Sequence, residues 1–275
     1  EPGVLLVPVA IGVALAAACL AAAFQDDVLG GSFGWRQPLG LLAGAGLVVG
    51  VVPGAFAITD GEWGMPRRTL VSVLAQLPRE PVDGDYRVLW VGDPRVIPVA
   101  AYTYQPGIGY ALTDDGELTV HDFWSGRPTD MEAEVATALR QMAAGVTLRG
   151  GRLLAQYGIR YVVVPVADGA NGTVGNPLPT PGGLVDVLED QLDLAAPLTR
   201  PPNFLVYENT AYTPTRAVLT TAGAAASQEA GGEAMTTADL RGSTPFAVGA
   251  PSRGDATDQV EAGTLHVAVP YDPNW

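Results

Sequence analysis

The chain is 275 residues long, carries a formal net charge of −14 and has a mean hydropathy of +0.20, which leaves room for one large domain or two small ones beside an apolar segment. All fifteen basic residues are Arg, and the acidic balance argues against nucleic-acid binding and against a polybasic grip on anionic lipid. The single cysteine, Cys19, excludes an internal disulfide and a Cys-based metal site, and the two histidines, His121 and His266, are too far apart in sequence for a His cluster. The absence of Lys beside abundant Ala, Gly, Val and Pro points to a high-GC genome of the actinobacterial kind, although a halophile would also be acidic.

Residues 4–24 form a run of 21 without a charge, and residues 38–58 repeat the pattern with Gly and Pro interruptions. A helix over either run would reach about 30 Å, the thickness of a bilayer core. Gly40, Gly44, Gly46 and Gly50 supply small-residue spacings that suit close helix packing. The expectation is a membrane helical hairpin over residues 1–60. A signal peptide would need a basic leading segment that is not present, and a buried hairpin of a soluble protein is the other alternative. The start at Glu1 rather than Met suggests further helices upstream. Arg67 and Arg68 after the second run would place the downstream residues on the cytoplasmic side by the positive-inside rule.

An α/β domain with a mixed sheet is expected over 61–220. Leu70, Val73, Leu74 and Leu77 have helical spacing. Residues 86–91, YRVLWV, read as a buried strand that leaves into Gly-Asp-Pro, either a ligand-carrying strand end or a tight turn. Residues 98–118 are rich in Tyr and Gly. Asp114 and Asp115 before Gly116 read as a hairpin turn or as a carboxylate pair for acid–base or cation work. His121 beside Asp122 reads as a tuned base or as a hydrogen-bonded structural pair.

The clearest helix spans 129–144, with Thr129 or Asp130 as cap and Met131, Val135, Leu139 and Met142 as its apolar stripe. A shorter helix over 148–156 leads through Gly158 into an apolar strand at 160–165. Residues 167–183 read as loop, with Asn171 in a glycosylation-like triplet that coincidence explains. A short amphipathic helix is expected at 184–192, and strands at 204–207 and 216–220. From 221 the composition turns to Ala, Gly, Ser and Thr and reads as linker, before a strand at 263–270 that begins a β-rich region. That strand needs sheet partners, drawn from the linker or from beyond the chain.

The stretch RLLAQYGIRYVVVP at 152–165, followed by FLVYENTAYTPTRAVL at 204–219, resembles the extracytoplasmic part of YfhO-type multi-spanning bacterial membrane proteins. There a tyrosine-led apolar strand is followed by a "vYeN…PR" strand. Here Pro214-Thr-Arg216 departs from that Pro-Arg pair. AGTLHVAVPYDPNW at 262–275 resembles a later β-strand of the same family. In overall character the chain is closer to the membrane-embedded C-terminal part of actinobacterial family 2 glycosyltransferases.

The resemblance implies a multi-pass cell-membrane protein whose soluble domain lies outside the cytoplasm, against the weak arginine signal. It also implies sugar transfer to a surface polysaccharide or lipid-linked acceptor. Catalytic residues in that family lie upstream, so none carries over, and no cofactor or metal is implied. This portion would instead hold acceptor or partner, with Tyr102, Tyr104, Asp114, Asp115, His121, Asp122 and Trp124 as the sugar-facing set, since aromatics stack on sugar faces and carboxylates bind hydroxyls. The expected partners are the lipid bilayer, a glycan or lipid-linked sugar and other envelope proteins, with no nucleic acid. The alternative is a non-catalytic envelope scaffold.

Overall fold

The computed structural model describes residues 83–114, 120–124, 126–167, 176–196, 203–229, 238–249 and 257–269, with Leu77, Met235 and scattered positions between 11 and 46. The chain divides into two compact units, Glu1–Met65 and Pro66–Trp275.

Within the second unit the described residues include a six-stranded mixed sheet in the order β2-β3-β1-β4-β6-β5. Its strands are β1 (Arg87–Gly92), β2 (Tyr102–Gln105), β3 (Ile108–Asp114), β4 (Ile159–Pro165), β5 (Leu194–Ala195) and β6 (Phe204–Asn209). β1 and β4 are parallel neighbours at the centre, and β3 and β6 flank them antiparallel. Every residue of β1 and β4 is buried, because both faces of the sheet are covered. That is why VLWV at 88–91 and YVVVP at 161–165 read as continuous apolar runs rather than as alternating ones.

Between β1 and β4 lie the β2–β3 hairpin and helices α1 (Val120–Phe123), α2 (Asp130–Ala143) and α3 (Gly150–Ala155). Leu89 and Val91 of β1, Val162 and Val164 of β4 and Tyr207 of β6 meet Val135, Leu139 and Met142 of α2 and Leu154 of α3. Leu184 and Leu188 of α4 (Leu184–Glu189) close the same core. On the other face, Val88, Trp90, Tyr161, Val163, Phe204 and Val206 pack with Ile97 and Val99 and with Leu77 from upstream. The strict alternation between the two clusters is the period-2 geometry of a strand. Trp90 meets Phe204 edge-on at 5.8 Å, and its indole N–H donates to Thr113 Oγ1 at 2.9 Å.

A second sheet has three short strands in the order β8-β7-β9, namely β8 (Thr244–Pro245), β7 (Arg216–Val218) and β9 (Leu265–Val267). Helix α5 (Thr221–Ser227) follows β7, with the Thr220 hydroxyl accepting from Gly223 N–H as its cap. Residues read as linker therefore contain a helix. The strand expected at 263–270 finds its partner in β7, upstream of that linker.

The expected fold class, a membrane helical hairpin followed by an α/β domain and the start of a β-rich domain, is corrected here. Among the described residues no helix is long and apolar enough to cross a membrane. A span needs about 20 consecutive apolar helical residues, whereas the longest described helix, α2, has 14 and is amphipathic. In the apolar runs at 4–24 and 38–58 the described residues are 11, 12, 14, 15, 17, 18, 22, 38, 42, 45 and 46, all helical, and the remaining residues of both runs lie outside the described ones. From 221 onward the described residues contribute α5 and two short strands that flank β7.

Candidate functional site

Tyr102 and Tyr104 sit on the edge strand β2, beside Tyr110 of β3, with ring centroids 5.7 and 6.1 Å from that of Tyr110. Tyr110 donates its hydroxyl to the Glu132 backbone carbonyl at 2.9 Å. Glu132 is also the third residue of the α2 capping box. Its carboxylate accepts from Thr129 N–H at 2.6 Å, and its own N–H donates to Thr129 Oγ1 at 3.4 Å. Tyr110, flanked by Tyr102 and Tyr104, thus seats the first turn of α2 on the hairpin. Burial pushes the Tyr104 and Tyr110 phenols up to about 12, and burial with the Glu132 carboxylate raises Tyr102, so all three stay neutral donors.

Asp114 ends β3 opposite Arg87, four residues and about 13 Å along the strand from Tyr110. Its carboxylate accepts from Arg87 Nε at 3.1 Å, while Arg87 Nη1 donates to the Tyr157 carbonyl at 2.8 Å. Asp114 therefore pairs with a buried arginine at the far end of the strand. The hairpin turn lies at Pro106-Gly107, between β2 and β3, and Gly107 takes φ +78° there. Asp115 lies outside the described residues. His121 falls within α1, and its side chain is also outside them.

Asp122 accepts the Ala100 N–H at its backbone carbonyl at 2.8 Å, which places α1 beside the start of β2 and near Tyr102. Phe123 and Trp124 are exposed, at 49% and 63%. Of the five candidates whose side chains are described, Tyr102 and Tyr104 lie on the edge strand, Asp122 and Trp124 lie on or just after α1, which is tied to the lead-in to β2, and Asp114 pairs with Arg87 at the far end of β3. Phe123 is not singled out by the sequence, because an aromatic in a segment without periodicity gives no signal. Its exposure beside Trp124 is a tertiary property.

The Gly-Asp-Pro exit of β1 is a turn. The Asp93 carbonyl accepts from Val96 and Ile97, and its carboxylate is clamped by exposed Arg95, which holds it below the usual carboxylate range.

A dense polar cluster among the described residues lies elsewhere and is structural. The carboxylate of Asp193 accepts the N–H groups of Gly151 and Arg152 at 2.9 and 3.0 Å, and Gln191 Oε1 accepts that of Gly150 at 2.9 Å, so the first turn of α3 is capped from a distant loop. Asn209, the Asn of VYEN, donates to the Gly151 and Ile159 carbonyls at 2.9 Å each and accepts from Ala211 N–H at 3.0 Å. A Cβ at Gly151 would collide with the Asn209 and Asp193 side chains. The sequence pairing of RLLAQYGIRYVVVP with VYEN is, in space, this lock between α3, β4 and β6.

Among the described residues no group of three or more His, Cys, Asp or Glu side chains is placed to hold a metal ion. No protein-family model, curated protein or solved structure matches the chain.

Proposed function

We propose that the α/β unit is the recognition portion of a bacterial cell-envelope glycosyltransferase, working outside the cytoplasm and holding an acceptor glycan or lipid-linked sugar rather than transferring it. The observation that carries this reading is the exposed Phe123–Trp124 pair at the end of α1, a helix tied through the Asp122 carbonyl to Ala100, two residues before the half-buried Tyr102 of the edge strand. Flat aromatic surfaces stack on the apolar faces of sugar rings, and flanking carboxylate and phenol groups can accept from and donate to hydroxyls. The resemblance of 152–165 and 204–219 to envelope proteins supplies the class of acceptor.

The test is titration of the 275-residue chain with surface-polysaccharide fragments, followed by tryptophan fluorescence and by chemical-shift changes at 100–104 and 120–124. Trp124→Ala should weaken binding about fivefold, the loss of one aromatic contact worth about 1 kcal/mol. Absence of binding to any envelope glycan, or binding unchanged by Trp124→Ala, would overturn it. A reporter fused after Trp275 that is active only in the cytoplasm would overturn the placement.

A second reading, a non-catalytic scaffold, draws on the ion pairs. Arg87–Asp114, Arg160–Asp83, Arg160–Glu208 and Arg216–Asp85 each join a buried guanidinium to a carboxylate within the fold. It predicts envelope-protein binding that survives loss of the aromatic pair.

A further inference from the structure

Three large aliphatic side chains stand exposed together where α2 gives way to α3: Val146, Leu148 and Leu192, at 72, 51 and 70%. The local structure turns them outward. Gly145 N–H donates to the Met142 carbonyl and Val146 N–H to that of Gln141, the pair of bonds that closes a helix through a left-handed glycine. The residue after such a glycine commonly packs on an apolar residue of the last turn, but the positions it would meet hold Gln141 and Arg140. Gln191 and Asp193 are buried where they cap α3, so Leu192 between them faces out. Leu192 N–H donates to the Leu148 carbonyl at 2.8 Å, which lays the two segments side by side. Val146 is two residues from Leu148, at most about 7 Å along the chain.

The seam between these segments also divides charge. Residues 135–152 carry three Arg and no acid, whereas residues 184–195 carry four carboxylates and no base. Arg152 pairs with Asp239, and Asp193 is taken up by the α3 cap. Arg140 and Arg149 on one side of the seam, and Asp186, Glu189 and Asp190 on the other, are exposed. Among the described residues none of these five is in an ion pair.

We propose that this seam is a self-association surface, on which a second copy of the chain docks about a two-fold axis running along the seam. Such an axis sets each apolar trio against its own copy and each basic strip against the partner's acidic strip. An apolar centre with a charged rim is the usual anatomy of an interface. A second copy is favoured over a bilayer surface because the acidic strip would face anionic headgroups. The apolar centre is small, so the dimer belongs to the low end of interface size and is weakened by salt. The seam lies at the C-terminal end of α2, a helix length of about 20 Å from the first turn held by Tyr110, and uses neither Phe123 nor Trp124.

The test is sedimentation equilibrium of the 275-residue chain from about 1 μM to about 1 mM, with two charge-reversed variants. Arg140→Glu with Arg149→Glu makes both strips acidic, and Glu189→Arg with Asp190→Arg leaves both strips predominantly basic. Each variant alone should associate at least about tenfold more weakly than the unaltered chain, and an equimolar mixture of the two should recover most of the loss. Leu192→Asp should weaken association without rescue by either. A misfolded variant would not be rescued by mixing, so recovery separates a lost interface from a lost fold. A chain that stays monomeric to about 1 mM would overturn the proposal. So would association indifferent to the reversals, as the apolar runs at 4–24 and 38–58 would give, or losses that mixing does not recover. Co-pelleting with phosphatidylglycerol vesicles that Leu192→Asp abolishes, without self-association, would assign the seam to a lipid surface and equally overturn it.

Discussion

At the scale of single residues, several buried polar side chains each close a specific gap in the backbone hydrogen bonding. Asn209 is 2% exposed and satisfies two carbonyls and one N–H at once. Asn209→Ala leaves those groups without partners, and unmet buried hydrogen bonds cost about 1–3 kcal/mol each before relaxation. A loss of about 2–4 kcal/mol is expected, read as a shift in the urea midpoint at constant m-value. Thr113→Val, nearly isosteric, removes the acceptor of the Trp90 indole N–H and should cost about 1–2 kcal/mol, with a change in buried-tryptophan emission. Gly158 combines φ +69° with a built Cβ that would lie 2.5 Å from Thr215 Cγ2. Gly158→Ala should therefore destabilise by more than the ~1 kcal/mol that a left-handed backbone alone costs an L-residue.

At the scale of elements, the legible part of the sequence is the part that repeats locally. The stripe Val135, Leu139 and Met142 with Thr129 as cap is a complete helix signal, and α2 forms at 130–143 with its capping box. Thr129→Ala should cost about 1 kcal/mol in thermal unfolding, and Thr129→Ser should restore most of it. YRVLWV and RYVVVP read as buried strands because two-sided burial favours apolar side chains at nearly every position, with Arg87 and Arg160 as the buried, ion-paired exceptions. Helix α5 is not legible, since its Ala, Gly and Ser content matches a linker, and its one local signal is the Thr220 cap. Nor is β2 legible. Its four residues fall below the length at which alternation can be told from chance, and its tyrosines pack on Tyr110 of β3, whose hydroxyl reaches the α2 turn.

At the scale of the whole unit, the small sheet is joined to the large one through the segment that enters β1. Asp85 accepts Thr215 N–H and the Tyr212 hydroxyl at its carbonyl and Gly249 N–H at its carboxylate, and it pairs with Arg216 at 3.7 Å. Asp85→Ala removes the charge facing a buried arginine, at a penalty on the order of 2–4 kcal/mol. Hydrogen exchange should localise it, with protection lost across β7–β9 before the β1–β4 ladder. Arg160 joins the same end of the unit from β4, its guanidinium lying 5.4–5.6 Å from the ring centroids of Tyr86, Tyr161 and Tyr212 while it pairs with Asp83 and Glu208. Its planar fork suits both contacts at once, which a lysine would not.

By itself the sequence determined the central strands, the long helix and its cap, and the excess of acidic over basic residues, because these rest on periodicity, propensity and counting within a short window. Only the tertiary structure decided that β9 pairs with β7 across the linker, that Asp193 and Gln191 cap a helix some forty residues away, and that Asp114 binds Arg87 instead of standing with the tyrosines. Those outcomes depend on which distant groups meet, and the free energy of such meetings is set by desolvation and hydrogen-bond geometry that no local pattern encodes.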